Sequence, residues 1–419
     1  MCTATTHNAR YGRHPLQVIR LVPYSVIIAK PTKDCNADCT YCSAPPDGNA
    51  GWTFDDFRLM FDRLVDSFTP NVQWIWHGGE PMLMKPEFYR QCAQYALQRH
   101  PGIKFAIQTN LLAYKSDRWK SVFEDVFEGR ISTSFDPYKR YRTVKGSADT
   151  YDRLFWKAMD AVIGDGFRPL VIGVYDEGAA PAASQMYDKA KSYGVYGFDI
   201  RFNYAYPAGR VRDSGMLIAP KTYGQMLIDL YDRWVTDLPT FNITPLDLML
   251  QKVAGYRSTL CPWTKSCGGK FLTIDPDGSV FNCSEFSDLG DPRYRFGNIL
   301  TGEVQGATPV EVKFYPPEEI VSALSASPAS QEIMRRQIKF PMDCRSCEHF
   351  SECEGGCARD AVLFDRGMGG KFGYCESWKM VFTRLKQSVA SGEADKLLLK
   401  LGITPADARA RVAALAMVS

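Results

Sequence analysis

From Tyr24 to about Trp234, short apolar and β-branched runs alternate with amphipathic stretches, the pattern of repeated β–α units that share a parallel sheet. The pattern predicts strands at Tyr24–Lys30, Val72–Trp76, Ile103–Thr109, Arg130–Phe135, Pro169–Tyr175 and Phe198–Asn203. After the first strand, Thr53 can cap a helix and Asp56 completes a capping-box variant. Phe54, Phe57, Phe61, Leu64, Val65 and Phe68 then line one face. Further helices are predicted around Pro86–Arg99, Asp117–Phe127, Thr150–Ile163, Pro181–Tyr193 and Lys221–Trp234. Six β–α units are too few for a closed eight-stranded barrel. They fit an α/β fold built on a partial, splayed (β/α)6 TIM-like barrel, with function at the C-terminal ends of the strands.

Residues 24–236 thus form the predicted core, behind an extension at 1–23 and ahead of a linker or helix at 237–260. Beyond Pro245 the Gly, Pro and Cys density rises and periodicity fades until about Trp378. Residues 261–380 therefore read as a second domain organised by metal, with Thr301–Ser330 as a mobile insertion. Helix returns over the tail, 381–419, where Thr404 can cap and Pro405 takes the first helical position.

The 419 residues, 45% of them hydrophobic, suffice for ordinary cores. Lys+Arg and Asp+Glu nearly balance at a formal net charge of +3, so charge points to neither nucleic acid nor a membrane as partner. No apolar run approaches the roughly 20 residues that span a bilayer, and the first 30 residues lack a signal-peptide pattern, so a cytoplasmic location is expected. In that reducing compartment, a cysteine-rich chain more often binds metal than forms disulfides.

Eleven of the thirteen cysteines fall into two groups. Cys35, Cys39 and Cys42 lie just after the first strand. Cys261, Cys267, Cys283, Cys344, Cys347, Cys353, Cys357 and Cys375 lie in the second region. Three thiolates can hold three irons of a [4Fe–4S] cubane and leave the fourth open; eight can ligate two further clusters completely. A zinc knuckle is the alternative for the first group, but it wants a fourth ligand close by, and His14 and His77 have no zinc-finger spacing. Cys344 and Cys347 alone would also suit zinc. Cys92, inside the helix after Pro86, reads as a small core residue.

The Cx3CxxC spacing of Cys35, Cys39 and Cys42, with Tyr41 before the last, resembles the signature of the radical S-adenosylmethionine (SAM) superfamily. His77-Gly78-Gly79-Glu80-Pro81, after the second strand, is similar to that family's GGE motif. The resemblance implies that its backbone and carboxylate bind the amino group of SAM, and glycine allows the close approach. It also implies a SAM pocket lined by Tyr41, Pro81, Gln108, Asn110 and Ser134, with Asn110 and Ser134 near the ribose. Arg142 is the candidate to grip the SAM carboxylate bidentately. Relatives usually have Asp-Gly after the fourth strand; here it is Asp136-Pro137.

The later cysteines resemble the SPASM domain that follows the radical SAM core in many peptide- and protein-modifying enzymes. That resemblance implies one auxiliary cluster on Cys261, Cys267, Cys283 and Cys357 and a second on Cys344, Cys347, Cys353 and Cys375, hence three [4Fe–4S] clusters in all. The chain is similar to both the peptide-maturing and the sulfatase-maturing branches. In sulfatase maturases an Asp directly after the third SPASM cysteine serves as base; here Ser284 stands there, with Glu285 next. Serine is a poor proton acceptor, so Glu285 and Asp136 become the candidate bases.

The expected activity is therefore reductive cleavage of SAM to a 5′-deoxyadenosyl radical and an oxidative cross-link (C–C, C–O or C–S) in a ribosomally made precursor peptide. Formylglycine formation on a sulfatase is the enzyme alternative, and a non-catalytic iron–sulfur electron carrier the other. Expected partners are the peptide or protein substrate and an electron donor such as flavodoxin or ferredoxin. The 34 residues before Cys35 are too few for a typical leader-binding domain, which leaves that task to a separate protein or to the core and tail. Tyr204 and Tyr206, after the sixth strand, would suit an aromatic peptide.

Overall fold

The computed structural model describes residues 23–44, 46, 48, 51–138, 141–211, 215–257, 261, 267–308 and 310–416. Nearly all of the expected 1–23 extension, residues 1–22, lies outside them. In chain order the strands are β1 (Tyr24–Thr32), β2 (Asp38–Cys39), β3 (Phe68–Gly78), β4 (Lys104–Thr109), β5 (Ile131–Ser134), β6 (Arg142–Thr143) and β7 (Leu170–Tyr175). They continue as β8 (Asp199–Tyr204), β9 (Ile243–Thr244), β10 (Phe271–Ile274), β11 (Ser279–Phe281), β12 (Gly297–Asn298), β13 (Glu303–Gln305) and β14 (Val312–Phe314). The six strands predicted for the core are β1, β3, β4, β5, β7 and β8, which pair in that order and in parallel.

Each crossover places an amphipathic helix against the sheet. The first, α1 (Phe54–Leu64), starts at a reciprocal capping box: Asp56 N donates to Thr53 Oγ1 and Thr53 N to Asp56 Oδ2. Its buried face, Phe57, Met60, Phe61 and Leu64, packs on Trp74 and Trp76 of β3. Helices α2 (Pro86–Arg99), α3 (Ser116–Asp125), α4 (Ala148–Gly164) and α5 (Ala183–Ser192) follow the same logic, with Cys92 fully buried in α2.

Four features differ from or add to the expectations. The parallel sheet is longer by one strand at each edge: β9 extends it beyond β8, and β10 pairs in parallel with β1. Strands β11 to β14 continue antiparallel from β10, so the cysteine-rich region shares one twelve-stranded sheet with the core. Thr301–Ser330, expected as a mobile insertion, contains regular structure among its described residues. It carries β13, β14 and the Ile320–Ala326 helix, whose Ile320 and Leu324 are buried and whose Ser325 Oγ lies 3.1 Å from Tyr24 Oη. The boundary at 380/381 falls inside one continuous helix, Cys375–Ser391. That helix packs on Pro220–Asp237, where Tyr231 Oη bonds Ser388 Oγ at 2.7 Å, because its apolar stripe needs a core surface to cover it.

Candidate functional site

The C-terminal ends of the parallel strands surround a cavity of about 460 Å³. On one side stand Cys35, Cys39 and Cys42, in the loop that leaves β1. The Gly78–Gly79 turn at the end of β3 lies against that loop, with Gly79 N donating to Thr32 O and Glu80 N to Asp34 O. Gly78 has φ +120°, and a Cβ at Gly79 would collide with the carbonyl oxygens of Lys33 and Asp34. Only glycines let this turn and the cysteine loop share the space.

Glu80 itself is fully buried and does not face the cavity. Its carboxylate accepts from Met82 N (2.8 Å), Thr109 Oγ1 (2.6 Å) and Asn110 N (2.7 Å), so it braces the end of β3 to the end of β4. Burial lifts its pKa to about 7. Of the expected GGE contacts, the structure thus presents Gly78 and Gly79 to the cavity and turns Glu80 and the buried Pro81 inward. Gln108 Nε2 donates to Ser134 Oγ (2.9 Å), and Asn110 Nδ2 donates to Asn36 Oδ1 (2.6 Å) and lies 3.8 Å from Cys35 Sγ. All three line the cavity.

Strands β2 and β6 pair so that Cys39 sits opposite Arg142. The Arg142 guanidinium donates Nε to Asp136 Oδ2 at 2.7 Å, contacts the Tyr41 hydroxyl and holds Nη1 3.7 Å from Cys39 Sγ. Its fork is therefore taken by Asp136 and Tyr41 rather than left open for a bidentate carboxylate. Asp136 is engaged in the same cluster. Its Oδ2 accepts from both Tyr41 and Arg142, its Oδ1 accepts from Val174 N (2.6 Å), and it is buried.

The opposite wall comes from the C-terminal region, through the Ser284–Leu289 helix that Cys283 precedes. Ser284, Glu285 and Asp288 all reach the cavity. Burial alone would raise the Glu285 carboxyl, but the Arg359 guanidinium, 3.7 Å away, holds it below the ordinary glutamate value. Arg359 in turn lies 3.8 Å over the ring of Tyr206, another cavity residue. Tyr204 points away: it stacks on Tyr374 at 3.6 Å and donates to Asp360.

The eight later cysteines separate into two sets. The Cys261 and Cys357 thiols hydrogen-bond each other, with Cys267 and Cys283 in electrostatic reach of Cys357. Cys344, Cys347, Cys353 and Cys375 line a separate cavity of about 310 Å³. Among the described residues, no group of three or more His, Cys, Asp or Glu side chains is arranged to hold a metal ion. The all-sulfur donor sets are of the kind that ligates iron–sulfur clusters. Burial pushes the Cys35 thiol up to about 11 and those of Cys267 and Cys353 up to about 12.

Sequence reasoning missed the element that fixes the two walls together. Lys30, on β1, is fully buried, and its Nζ reaches Ser284 O (3.2 Å), Ser287 Oγ (2.8 Å) and Asp288 Oδ1 (2.5 Å). Asp288 Oδ2 also accepts from Ser43, the neighbour of Cys42, at 2.8 Å. A lone lysine closing an apolar strand run was the available signal. Arg359 had none.

A scan against protein-family models finds no match. The chain is 24% identical to the serine-type anaerobic sulfatase-maturating enzyme of Klebsiella aerogenes, over 80% of each chain. It is also 24% identical to the cysteine-type anaerobic sulfatase-maturating enzyme of Clostridium perfringens, over 86% of this chain and 95% of that one. Among solved structures, native anSMEcpe with bound AdoMet and Cp18Cys peptide aligns with a TM-score of 0.72 at 20% identity, covering 89% of this chain and 99% of that one. Streptococcus suis SuiB bound to its precursor peptide SuiA gives 0.56 at 13%, covering 84% and 76%. Relatives that are enzymes over most of their length set aside the electron-carrier reading. With the cysteine triad and the glycine turn meeting at the strand ends of this fold, the chain is similar over most of its length to anaerobic sulfatase-maturating enzymes, and it shares its fold with an AdoMet- and peptide-bound structure and with SuiB.

Proposed function

We propose that this enzyme installs an oxidative cross-link in a precursor peptide, with three [4Fe–4S] clusters, one on the Cys35, Cys39 and Cys42 triad and one on each later quartet. When bound, SAM and these clusters supply a 5′-deoxyadenosyl radical that takes hydrogen from carbon, and acceptors for the electron that a net oxidation releases. The residues themselves orient and shield. Gly78 and Gly79 admit a ligand against the backbone beside Cys35, and Gln108, Asn110 and Ser134 offer polar contacts along the strand ends. Arg142, held by Asp136, keeps a positive charge next to Cys39.

The observation that carries the reading is the shared cavity: the triad stands on one wall, and Glu285 on the other. Glu285 is the carboxylate placed to take a proton from substrate, whereas Asp136 is enclosed by three donors. The peptides Cp18Cys and SuiA, bound by the structural neighbours, support a peptide or protein segment as substrate. Flavodoxin or ferredoxin is the expected reductant in a cytoplasmic setting; no helix among the described residues is long and apolar enough to cross a membrane.

The curated relatives favour a second reading, formylglycine formation on a sulfatase. Against it stands Ser284 at the position after Cys283. Mass spectrometry of the product separates the two. Loss of two hydrogens within a bridged peptide supports the cross-link, and a Cys or Ser converted to an aldehyde overturns it.

A further inference from the structure

Arg336 belongs to none of the motifs. It ends the Pro328–Arg336 helix and is only 6% exposed. Its Nη1 donates to Met368 O (2.9 Å) and Gly370 O (2.6 Å), and its Nη2 to Gly355 O (3.3 Å). Gly355 lies between Cys353 and Cys357, in a turn where Glu354, Gly355 and Gly356 have φ of 52°, 87° and 67°. Met368 and Gly370 lie in the loop that leads to Cys375. The next residue, Gln337, donates Nε2 to Gly268 O at 2.8 Å, beside Cys267. Two adjacent side chains at one helix end thus hold loops that carry cysteines from both quartets.

The charge matters as much as the bonds. Cys344 and Cys353 of one quartet and Cys267 and Cys357 of the other all lie within its electrostatic reach. Among the described residues, no carboxylate forms an ion pair with Arg336. Burying a cation without an anion is costly, and a guanidinium does not shed its proton at working pH. The anions that would balance it are the thiolate-ligated clusters themselves: four thiolates around a [4Fe–4S] core leave a net negative charge, which grows on reduction.

The geometry points to Arg336 as a positioning residue shared by the two auxiliary sites, where its charge balances the clusters in both quartets and raises both reduction potentials. This rests on the reading that each quartet holds a cluster. A nearby cation favours the more negative, reduced state of either cluster, and net charge is one of the levers that set cluster potentials.

The test uses the full chain with Cys35, Cys39 and Cys42 replaced by Ala, so that only auxiliary signals remain, reconstituted anaerobically. About eight irons are expected per chain; if that background holds no clusters, the quartet reading fails whatever Arg336 does. EPR-monitored redox titration then compares Arg336 with Arg336→Lys, Arg336→Gln and Arg336→Met. Expected are lower midpoint potentials for both clusters in the neutral variants and near-parental values in Arg336→Lys. Iron lost from both neutral variants but kept by Arg336→Lys also supports the charge role. Unchanged potentials in a neutral variant that keeps its iron, a shift in one cluster only, or iron lost from all three variants would overturn it.

Discussion

Lys30→Met preserves side-chain length and removes a fully buried charge that joins the two walls of the cavity. In the structure Nζ lies 2.5 Å from Asp288 and 3.6 Å from Asp275, and the side chains of all three are 6% exposed or less. Removing one partner of a buried pair costs about 3–5 kcal/mol, because the carboxylates are left without water or a cation. Asp275 keeps Lys33 at 3.1 Å and Asp288 keeps the Ser43 hydroxyl, which places the expectation at the lower end of that range. Unfolding entropy of about 2.1 cal/mol/K per residue over 419 residues converts a cost of about 3 kcal/mol to a fall in Tm of roughly 3–4 °C. Burial opposes the Lys30 charge, but Asp288 and Asp275 more than offset this and raise its pKa above 10.5. The stabilisation is therefore fully present below pH 10.5 and is lost as pH rises through the folded value. Scanning calorimetry at pH 7.5, at matched iron content and scan rate, measures the difference, and Lys30→Met with Asp288→Asn should recover part of it. A Lys30→Met protein that melts within about 1 °C of the parent would refute the reasoning.

Three further outcomes follow from the site. Burial holds the Glu80 carboxyl near 7 against an ordinary 4.5, so the folded chain binds this proton more tightly than the unfolded one. Its contribution is fully present below pH 4.5 and is lost as pH rises through about 7, a swing of about 3 kcal/mol that urea titrations should find in the parent and not in Glu80→Gln. Gly79→Ala drives a methyl group into the Lys33 and Asp34 carbonyls, so SAM affinity measured by equilibrium dialysis should fall roughly tenfold or more. Unchanged affinity would mean that the turn does not border the ligand. Glu285→Gln should keep 5′-deoxyadenosine formation and lower peptide product by roughly 100-fold, whereas equal loss of both would remove Glu285 from the proton-accepting role.

The repeated β–α units were legible because each strand buries its own apolar run and each helix repeats its stripe within a few turns. The capping box at Thr53 and Asp56 is local for the same reason. Pairing of β10 with β1 was not legible: it joins Val26 to Phe271 across most of the chain and involves only four residues of β10. Among site residues, cysteine spacing marked the triad, while the division of the later eight into two quartets came from the resemblance to the SPASM pattern, because Cys357 is interleaved in sequence with the other set. Spacing could not tell which carboxylates face the cavity. Asp136 and Glu80 are enclosed by backbone and side-chain donors from other strands, and Lys30, Arg336 and Arg359 gain their partners only through long-range packing.

The central claim is that Cys35, Cys39 and Cys42 hold a cluster at which SAM is cleaved. Anaerobically reconstituted protein incubated with dithionite and SAM should form 5′-deoxyadenosine, detected by liquid chromatography, and should stop doing so when any of the three cysteines is replaced by Ala. Absence of 5′-deoxyadenosine from iron-loaded protein, or its formation without the triad, would contradict the account.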